Sequence, residues 1–485
     1  MYNRPMRLSI VPQKTRLGLI VLAAIIVRLV LFFNLPILFT SDSWDYLGAT
    51  YDIAHRLDFN SVRLRDVRMP TYPALLAAAQ PVTGQQSARV VMLQKALGVL
   101  TVLMGIAVGR VLRVRGLAEG LAIFLGFNPV YLLYEHTLMT ETLFLVVLLG
   151  FTLAASISLT GRLTWWKGVV LGSALGLCVL TRANALPICI ILAGGVGVAR
   201  YLRESRTSSS ATVGAVLRFA LITCLTGVLV VGPWLWRNGQ LYGNLSLVNF
   251  SNRNLLIYKA THHPLDTTLP RLREVNVALS TTEVNYDWLW SLAKAYPTIE
   301  AERIAASLVW EQLTHHADVY AQEVIESVAG FVGLHGAYLN ERTAGRILFR
   351  AITDPAAMQS LTSIPDWVHR RYPDFEFQSL SGNPVVAQVW AELGLGYLTY
   401  VRPLLFAVFI SMGLICLLHR LRVSHRRTWE ANVALKLMGV GYVVTLLVHA
   451  VTLTDNERYA VPFDWLLLAC VVLMIECLRT QQQSS

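Results

Sequence analysis

Residues 17–38 read LGLIVLAAIIVRLVLFFNLPIL, and residues 41–73 read SDSWDYLGATYDIAHRLDFNSVRLRDVRMPTYP. The first run is long enough to cross a roughly 30 Å hydrocarbon core as a helix. The second, directly after it, carries Asp42, Asp45, Asp52, Asp58 and Asp66 together with Arg63, Arg65 and Arg68. A simple connector needs neither charge type. Carboxylates and guanidinium groups gathered beside a bilayer suit a base and a phosphate clamp, so residues 39–86 read as an outer active-site loop.

The pattern continues along the chain. Of its 485 residues 54% are hydrophobic and 15% charged, well under the roughly 25% of a water-soluble domain. Further apolar runs lie near 87–110, 117–134, 138–158, 168–181, 184–200, 213–235, 395–418, 431–453 and 460–478. The fold class is therefore an all-α polytopic membrane protein of about ten transmembrane helices. The ten-residue alternating segments of a membrane barrel are missing. Residues 72–83 are apolar but short, and suit an interfacial or re-entrant helix in the first outer loop.

Basic residues orient the bundle. With the N-terminus inside, Arg4, Arg7, Lys14 and Arg16 fall in the cytoplasm. So do Arg110, Arg113 and Arg115, then Arg162 and Lys167, Arg200, Arg203 and Arg206, and Arg420, Arg422, Arg426, Arg427 and Arg479. Both termini are then inside, and the formal charge of +11 is membrane topology, not a nucleic-acid surface. The six cysteines lie in or beside apolar runs without metal-ligand spacing, as buried thiols. Uncleaved, the first run serves as a span. The expected domains are 1–235, a membrane module with the catalytic loop 39–86; 236–392, a large extracytoplasmic segment; and 393–485, the last membrane helices. Within 236–392, Ile304, Leu308 and Val309, then Val324, Ile325 and Val328, have helical spacing, which predicts interfacial helices. Residues 362–385, with three prolines, read as loop.

Candidate chemistry collects at the outer ends of the spans. Asp42 is either an N-cap of the helix DSWDYLGATYDIA or a general base, and Asp45, three residues on, shares its face. Arg68 is either a snorkelling arginine or a bidentate phosphate clamp. Glu141 begins the fourth span, where a carboxylate also suits the helix dipole, and His136 sits beside Glu135 in the preceding turn. Arg182 (VLTRANALP), Arg237 (PWLWRNG) and Arg458 (TDNERYAVP) break the inside bias, as lipid anchors or as ligands of a shared anion. Arg28, deep in the first span, must face protein. GxxxxGK[ST], GxGxxG after a strand, HExxH and GxSxG are absent, which leaves nucleotide-driven chemistry without sequence support.

Taken in order, the aspartate after the first span, R-x-P-x-Y-P (Arg68 to Pro73), N-P-V-Y with Glu135 and Glu141, L-T-R-A-N, P-W-x-x-R-N and N-E-R-Y-x-x-P resemble a known family. These are the bacterial GT-C membrane glycosyltransferases related to dolichyl-phosphate-mannose protein mannosyltransferases and lipid A aminoarabinose transferases. The resemblance covers nearly the whole chain apart from parts of 262–392. It implies a glycosyltransferase of a bacterial-type inner membrane with an extracytoplasmic site. Its partners would be a polyprenyl-phosphate-linked sugar donor, a lipid, glycan or protein acceptor, and the membrane lipids. It implies Asp42 as the base, Glu141 as the second-loop acid and inversion at the anomeric carbon; Asp45 joins them as a catalytic candidate by its shared helix face with Asp42. Arg68, Arg182, Arg237, Arg458, Tyr72 and His136 would hold the donor, with no metal or cofactor. The chain departs from the pattern: Ser43, not glutamate, follows Asp42, and Asp45 stands where the aminoarabinose transferases carry arginine. Two rivals remain, a lipid-linked-glycan flippase and an O-antigen-ligase-like transferase. The second would use the histidines of the late outer segment, His262, His263, His315, His316 and His335.

Overall fold

The structure is a computed structural model. It describes residues 12–482 apart from 61–63, 65–67, 85, 205–209, 263, 280–285, 333–343, 355–358, 360–363, 365–367, 369–374, 378–381, 419–425 and 453–460. Among the described residues the regular structure is helical, with two isolated β-bridges, Leu38 to Thr137 and Gln86 to Glu376.

Among the described residues, seven helical stretches are long and apolar enough to cross a membrane: Gln13–Asn34, Ser87–Leu112, Glu141–Leu159, Ala183–Arg203, Val213–Tyr242, Pro384–Ile415 and Asn432–Val451. The helices Leu117–Phe127 and Trp165–Thr181 are apolar but shorter. Many outward faces are aliphatic, as Leu19, Leu22, Ile26 and Phe33 are on the first helix (α1, Gln13–Asn34). That is the arrangement expected of surfaces in contact with lipid, where the backbone must satisfy itself within the helix. Glu141–Leu159 is the most enclosed of the seven and packs against Ser87–Leu112, Trp165–Thr181 and Leu186–Glu204.

The expected span 117–134 is broken in two, Leu117–Phe127 and Pro129–Tyr134. Pro129 has no N–H to continue the first helix, and the Asn128 side chain caps the second. Its Oδ1 accepts from the N–H groups of Val130 and Tyr131 at 3.0 and 3.4 Å. Close helix contacts rest on glycine, as is common between membrane helices. A Cβ at Gly172 would sit 2.3 Å from the Thr223 carbonyl oxygen, and one at Gly176 2.6 Å from Val230 Cβ.

The segment after Tyr242 forms helices Ser251–His262, Pro270–Leu279, Tyr286–Ala295, Thr298–His315 and Ala317–Phe331. A separate apolar core there includes Leu256, Trp288, Leu292, Ile304 and Leu308. In Ala317–Phe331, Ile325 is 68% exposed, while Glu323 and Ser327 are buried. The reason is a countercharge, since Lys259 Nζ lies 3.0 Å from Glu323 Oε2.

Near the C-terminus Pro384–Gly396 runs through a π-helical turn, Tyr397–Val401, into Arg402–Leu418. Arg426–Val451 and Asp464–Gln482 complete the bundle.

Candidate active site

The helix α2 (Ser41–Arg56) starts directly after the first span. Its cap is Thr40: the Thr40 backbone N–H donates to Ser43 Oγ at 2.9 Å, and the Ser43 N–H to the Thr40 carbonyl at 3.0 Å. The N-cap reading of Asp42 is thereby corrected. With the cap supplied from Thr40 and Ser43, the Asp42 carboxylate is directed to Arg68. Arg68 Nη2 donates to Asp42 Oδ1, and lies 3.3 Å from Asp45 Oδ2, with Nε at 3.4 Å. The i, i+3 spacing thus places both carboxylates on one guanidinium. Arg68 also lies over the Tyr46 ring, 5.6 Å from its centroid, within cation–π range.

Tyr72, at the start of Thr71–Thr83, packs edge-on to Tyr46 with ring centroids 5.3 Å apart. Its hydroxyl donates to Gln94 Oε1 at 2.5 Å. Gln94 Nε2 in turn donates to the carbonyls of Glu135 and Thr137, both at 3.0 Å. The segment Thr71–Thr83 and the turn Glu135 to Thr137 are thereby tied through one amide. Burial raises the Tyr72 pKa well above the usual phenol, and the charges of Tyr46 and Glu141 add to this; Glu141 is thus within electrostatic reach of Tyr72. His136 is fully buried, and neither ring nitrogen has a hydrogen bond among the described residues. Burial, with Lys95 nearby, lowers its pKa well below the usual value, so the ring is neutral. It is an interior histidine of the second loop.

Arg28 faces protein, as its depth demanded, and meets Glu135. Nη2 lies 2.8 Å and Nε 3.2 Å from Glu135 Oε1. The remaining donors reach the carbonyls of Ala24, Gly98, Leu125 and Gly126. Lys95 Nζ approaches Glu135 Oε2 at 3.4 Å. Gly98 makes room for this cluster, since a Cβ there would fall 2.0 Å from Glu135 Oε1. A second buried pair, Arg402 with Asp464 at 3.0 Å, is joined by the Tyr397 hydroxyl at 2.9 Å. Sequence reasoning passed over Lys95, Arg402 and Asp464. Their signal was available, because ionisable residues within apolar runs require partners.

Glu141, at the first residue of its helix, lies 3.4 Å from Arg182 Nη1, both nearly fully buried. Arg182 has extended backbone between Trp165–Thr181 and the turn Ala183–Ala185, and its guanidinium lies 5.6 Å from the Phe144 centroid. A small pocket is lined by Glu135, Glu141, Thr142, Tyr131, Tyr134 and Thr101, among others. It connects the Arg28 cluster with the Glu141 to Arg182 pair. Asp42, Asp45, Arg68 and Tyr72 are thus linked by consecutive contacts through Tyr46, and Glu141 and Arg182 form a second pair.

Arg237 lies over the rings of Trp234 and Tyr242, at 4.5 and 5.5 Å, and Nη1 donates to Asn238 Oδ1 at 2.8 Å. Arg458 lies outside the described residues, as do His263 and His335. His316 Nε2 meets Asp266 Oδ2 at 3.0 Å. The Asp266 pKa is lowered to about 2, first by the Thr268 hydroxyl and backbone N–H and then by His316.

Chemically, the first loop offers two carboxylates able to accept a proton and a guanidinium able to hold an oxyanion. No family model and no curated protein matches the chain. Among solved structures, the chain is similar to the crystal structure of ArnT from Cupriavidus metallidurans bound to undecaprenyl phosphate. The match has 15% identity and a TM-score of 0.37, over 96% of this chain and 78% of that one. A likeness this loose carries no argument, and the functional reading rests on the residues themselves.

Proposed function

We propose that this chain is a membrane glycosyltransferase that moves a sugar from a polyprenyl-phosphate-linked donor to a hydroxyl of a lipid, glycan or protein acceptor on the extracytoplasmic face. The observation that carries it is Arg68 held between Asp42 and Asp45 at the mouth of the first loop, with Tyr46 and Tyr72 beneath it. In this reading ten helices cross an inner membrane of bacterial type with both termini inside. Residues 1–235 form the catalytic module, 236–392 the outer segment and 393–485 the closing helices.

The resting site is self-neutralised. While Arg68 holds Asp42, that carboxylate is a poor base. A donor phosphate competes for the guanidinium, and its arrival frees Asp42 as it fixes the donor. The acceptor O–H then passes its proton to Asp42, and the oxygen pair forms the new bond to the anomeric carbon. The sugar–phosphate C–O bond breaks with its electrons going to the phosphate, and the anomeric centre inverts. Arg68 stabilises the charge developing on the leaving group, where fixed positive charge contributes most. Arg182, Arg237 and Arg458 are further donor ligands, Asp45 holds Arg68, and Glu141 orients Arg182.

The test is sugar transfer by purified protein in nanodiscs, with a panel of polyprenyl-phosphate sugars. Wild type releases polyprenyl phosphate, and folded Asp42→Asn that still binds donor loses turnover by about 10²-fold or more. Equal turnover in Asp42→Asn removes Asp42 as the base. One observation favours a carrier of lipid-linked glycan: Arg28, Lys95, Arg402 and Asp464 are buried within helices of the bundle, and Glu135 is buried in the turn after Pro129–Tyr134. Against it, these charges form ion pairs and are not arranged along a path. Movement of lipid-linked glycan across vesicles, with no transfer from any donor, would select the carrier.

A further inference from the structure

His449 ends the helix Arg426–Val451 and is buried with both ring nitrogens engaged. Nδ1 lies 2.7 Å from the Thr445 carbonyl oxygen, and Nε2 lies 3.0 Å from Asn184 Nδ2. A carbonyl only accepts and an amide NH₂ only donates. The proton is therefore on Nδ1, and Nε2 is the acceptor for Asn184. The flipped amide would require protons on both nitrogens, a buried cation close to Arg182, and the charge of Arg182 opposes that. One neutral tautomer is selected from both sides.

Asn184 belongs to the three-residue turn Ala183–Ala185, which begins directly after Arg182. Arg182 has extended backbone, with its N–H donating to the Cys178 carbonyl at 2.9 Å and its own carbonyl accepting from the Ala185 N–H at 3.0 Å, and the direction of its side chain is left to contacts beyond the backbone. Two links run from it to His449. One is the Asn184 amide. The other is aromatic: the His449 ring lies 6.3 Å from Phe463, Phe463 lies 5.7 Å from Phe144, and Arg182 lies over Phe144. Hydrogen bonding and ring packing thus connect His449 to Arg182 by two routes.

From this geometry we infer that His449 is a positioning residue of the donor site, holding Arg182 in register with Glu141 through Asn184 and the edge-to-face pair of Phe463 and Phe144. This rests on the reading of Arg182 as a ligand of the lipid phosphate. It touches neither donor nor acceptor. Its contribution is to pre-set a guanidinium that would otherwise have to be ordered on binding, which acts on donor affinity.

The experiment uses the full chain in nanodiscs and measures binding of a polyprenyl phosphate and, in parallel, KM and kcat for the sugar-bearing donor. H449F keeps the ring contact with Phe463 and removes the acceptor, while N184A removes the donor. Each is expected to weaken polyprenyl phosphate binding about tenfold, equivalent to about 1.4 kcal/mol, and to raise KM more than it lowers kcat. Because both act on one hydrogen bond, the double variant H449F/N184A weakens binding by much less than the product of the two. H449Q, whose side-chain oxygen can accept from Asn184, binds at least threefold tighter than H449F. Should H449F fail to fold, N184A and H449Q carry the same comparison. Wild-type affinity in N184A or H449F, or fully multiplicative losses in the double variant, overturns the positioning role alone. Wild type that binds no polyprenyl phosphate overturns the functional reading and this inference with it.

Discussion

Replacing Glu135 with glutamine should destabilise the protein more than any surface change, and the structure supplies the magnitude. Arg28 Nη2 lies 2.8 Å from one carboxylate oxygen and Lys95 Nζ 3.4 Å from the other, all three side chains nearly fully buried. At an effective dielectric constant of about 20, those separations correspond to gross attractions of about 6 and about 5 kcal/mol. Most of that is balanced in the wild type by the cost of desolvating the charges. In the variant the two cations remain buried and only their attraction is removed. Breaking a buried pair from one side costs about 3–5 kcal/mol. The glutamine keeps one acceptor for Arg28, and the carbonyls of Ala24, Gly98, Leu125 and Gly126 stay in place; the loss should therefore lie near 3 kcal/mol. The assay is reversible unfolding in mixed micelles titrated with SDS, followed by circular dichroism. A second variant, Arg28→Met with Glu135→Gln, leaves one uncompensated cation where the single variant leaves two, and should recover part of the loss. A Glu135→Gln protein within about 0.5 kcal/mol of wild type would refute the ion cluster as a stabilising element.

Other consequences follow from neighbouring contacts. Gly98→Ala places a methyl against the Glu135 carboxylate and should cost about 1–3 kcal/mol in the same titration, as overpacking does. Tyr72→Phe leaves buried Gln94 Oε1 without its donor, for a loss of about 1–3 kcal/mol and a weakened hold of Thr71–Thr83 on the second loop, read by hydrogen exchange. His136 is neutral when folded because its pKa is lowered, while in the unfolded chain it takes up a proton below about pH 6.5. The unfolded state then binds more protons, so stability falls as pH drops below that value, by up to about 1.4 kcal/mol per pH unit for this one proton. His136→Phe should flatten that part of the pH profile.

Much of the architecture could be read from the chain because a bilayer imposes simple demands. A long apolar run needs no tertiary information to be assigned, and Arg28 inside one already had to face protein. What the sequence concealed depended on partners distant in the chain. Asp42 looked like a cap because the local pattern permits one, and only the geometry of Thr40 and Ser43 shows that position taken. The break at Asn128 was hidden by continuous hydrophobicity on both sides of Pro129. The buried pair of Glu323 with Lys259, 64 positions away, is not visible to a periodicity argument. Lys95 and Asp464 were passed over for the same reason. Of the candidate site, the first-loop acids and Arg68 were legible from spacing, whereas His449 and Asn184 join it only through folding.

The π-helical turn at Tyr397–Val401 has a consequence for how much length the chain tolerates. On a regular helix, residues five apart point about 140° away from each other, so Tyr397 and Arg402 could not both reach Asp464. The wider turn, with its i to i+5 bonds, brings them to the same carboxylate. One surplus residue therefore sets the rotational phase of everything from Arg402 to Leu418. Deleting any single residue between 397 and 401 would restore a tidier helix and swing Arg402 out towards the lipid. Here the irregular turn is the condition for burying the charge, and a more ideal helix would be the less viable protein.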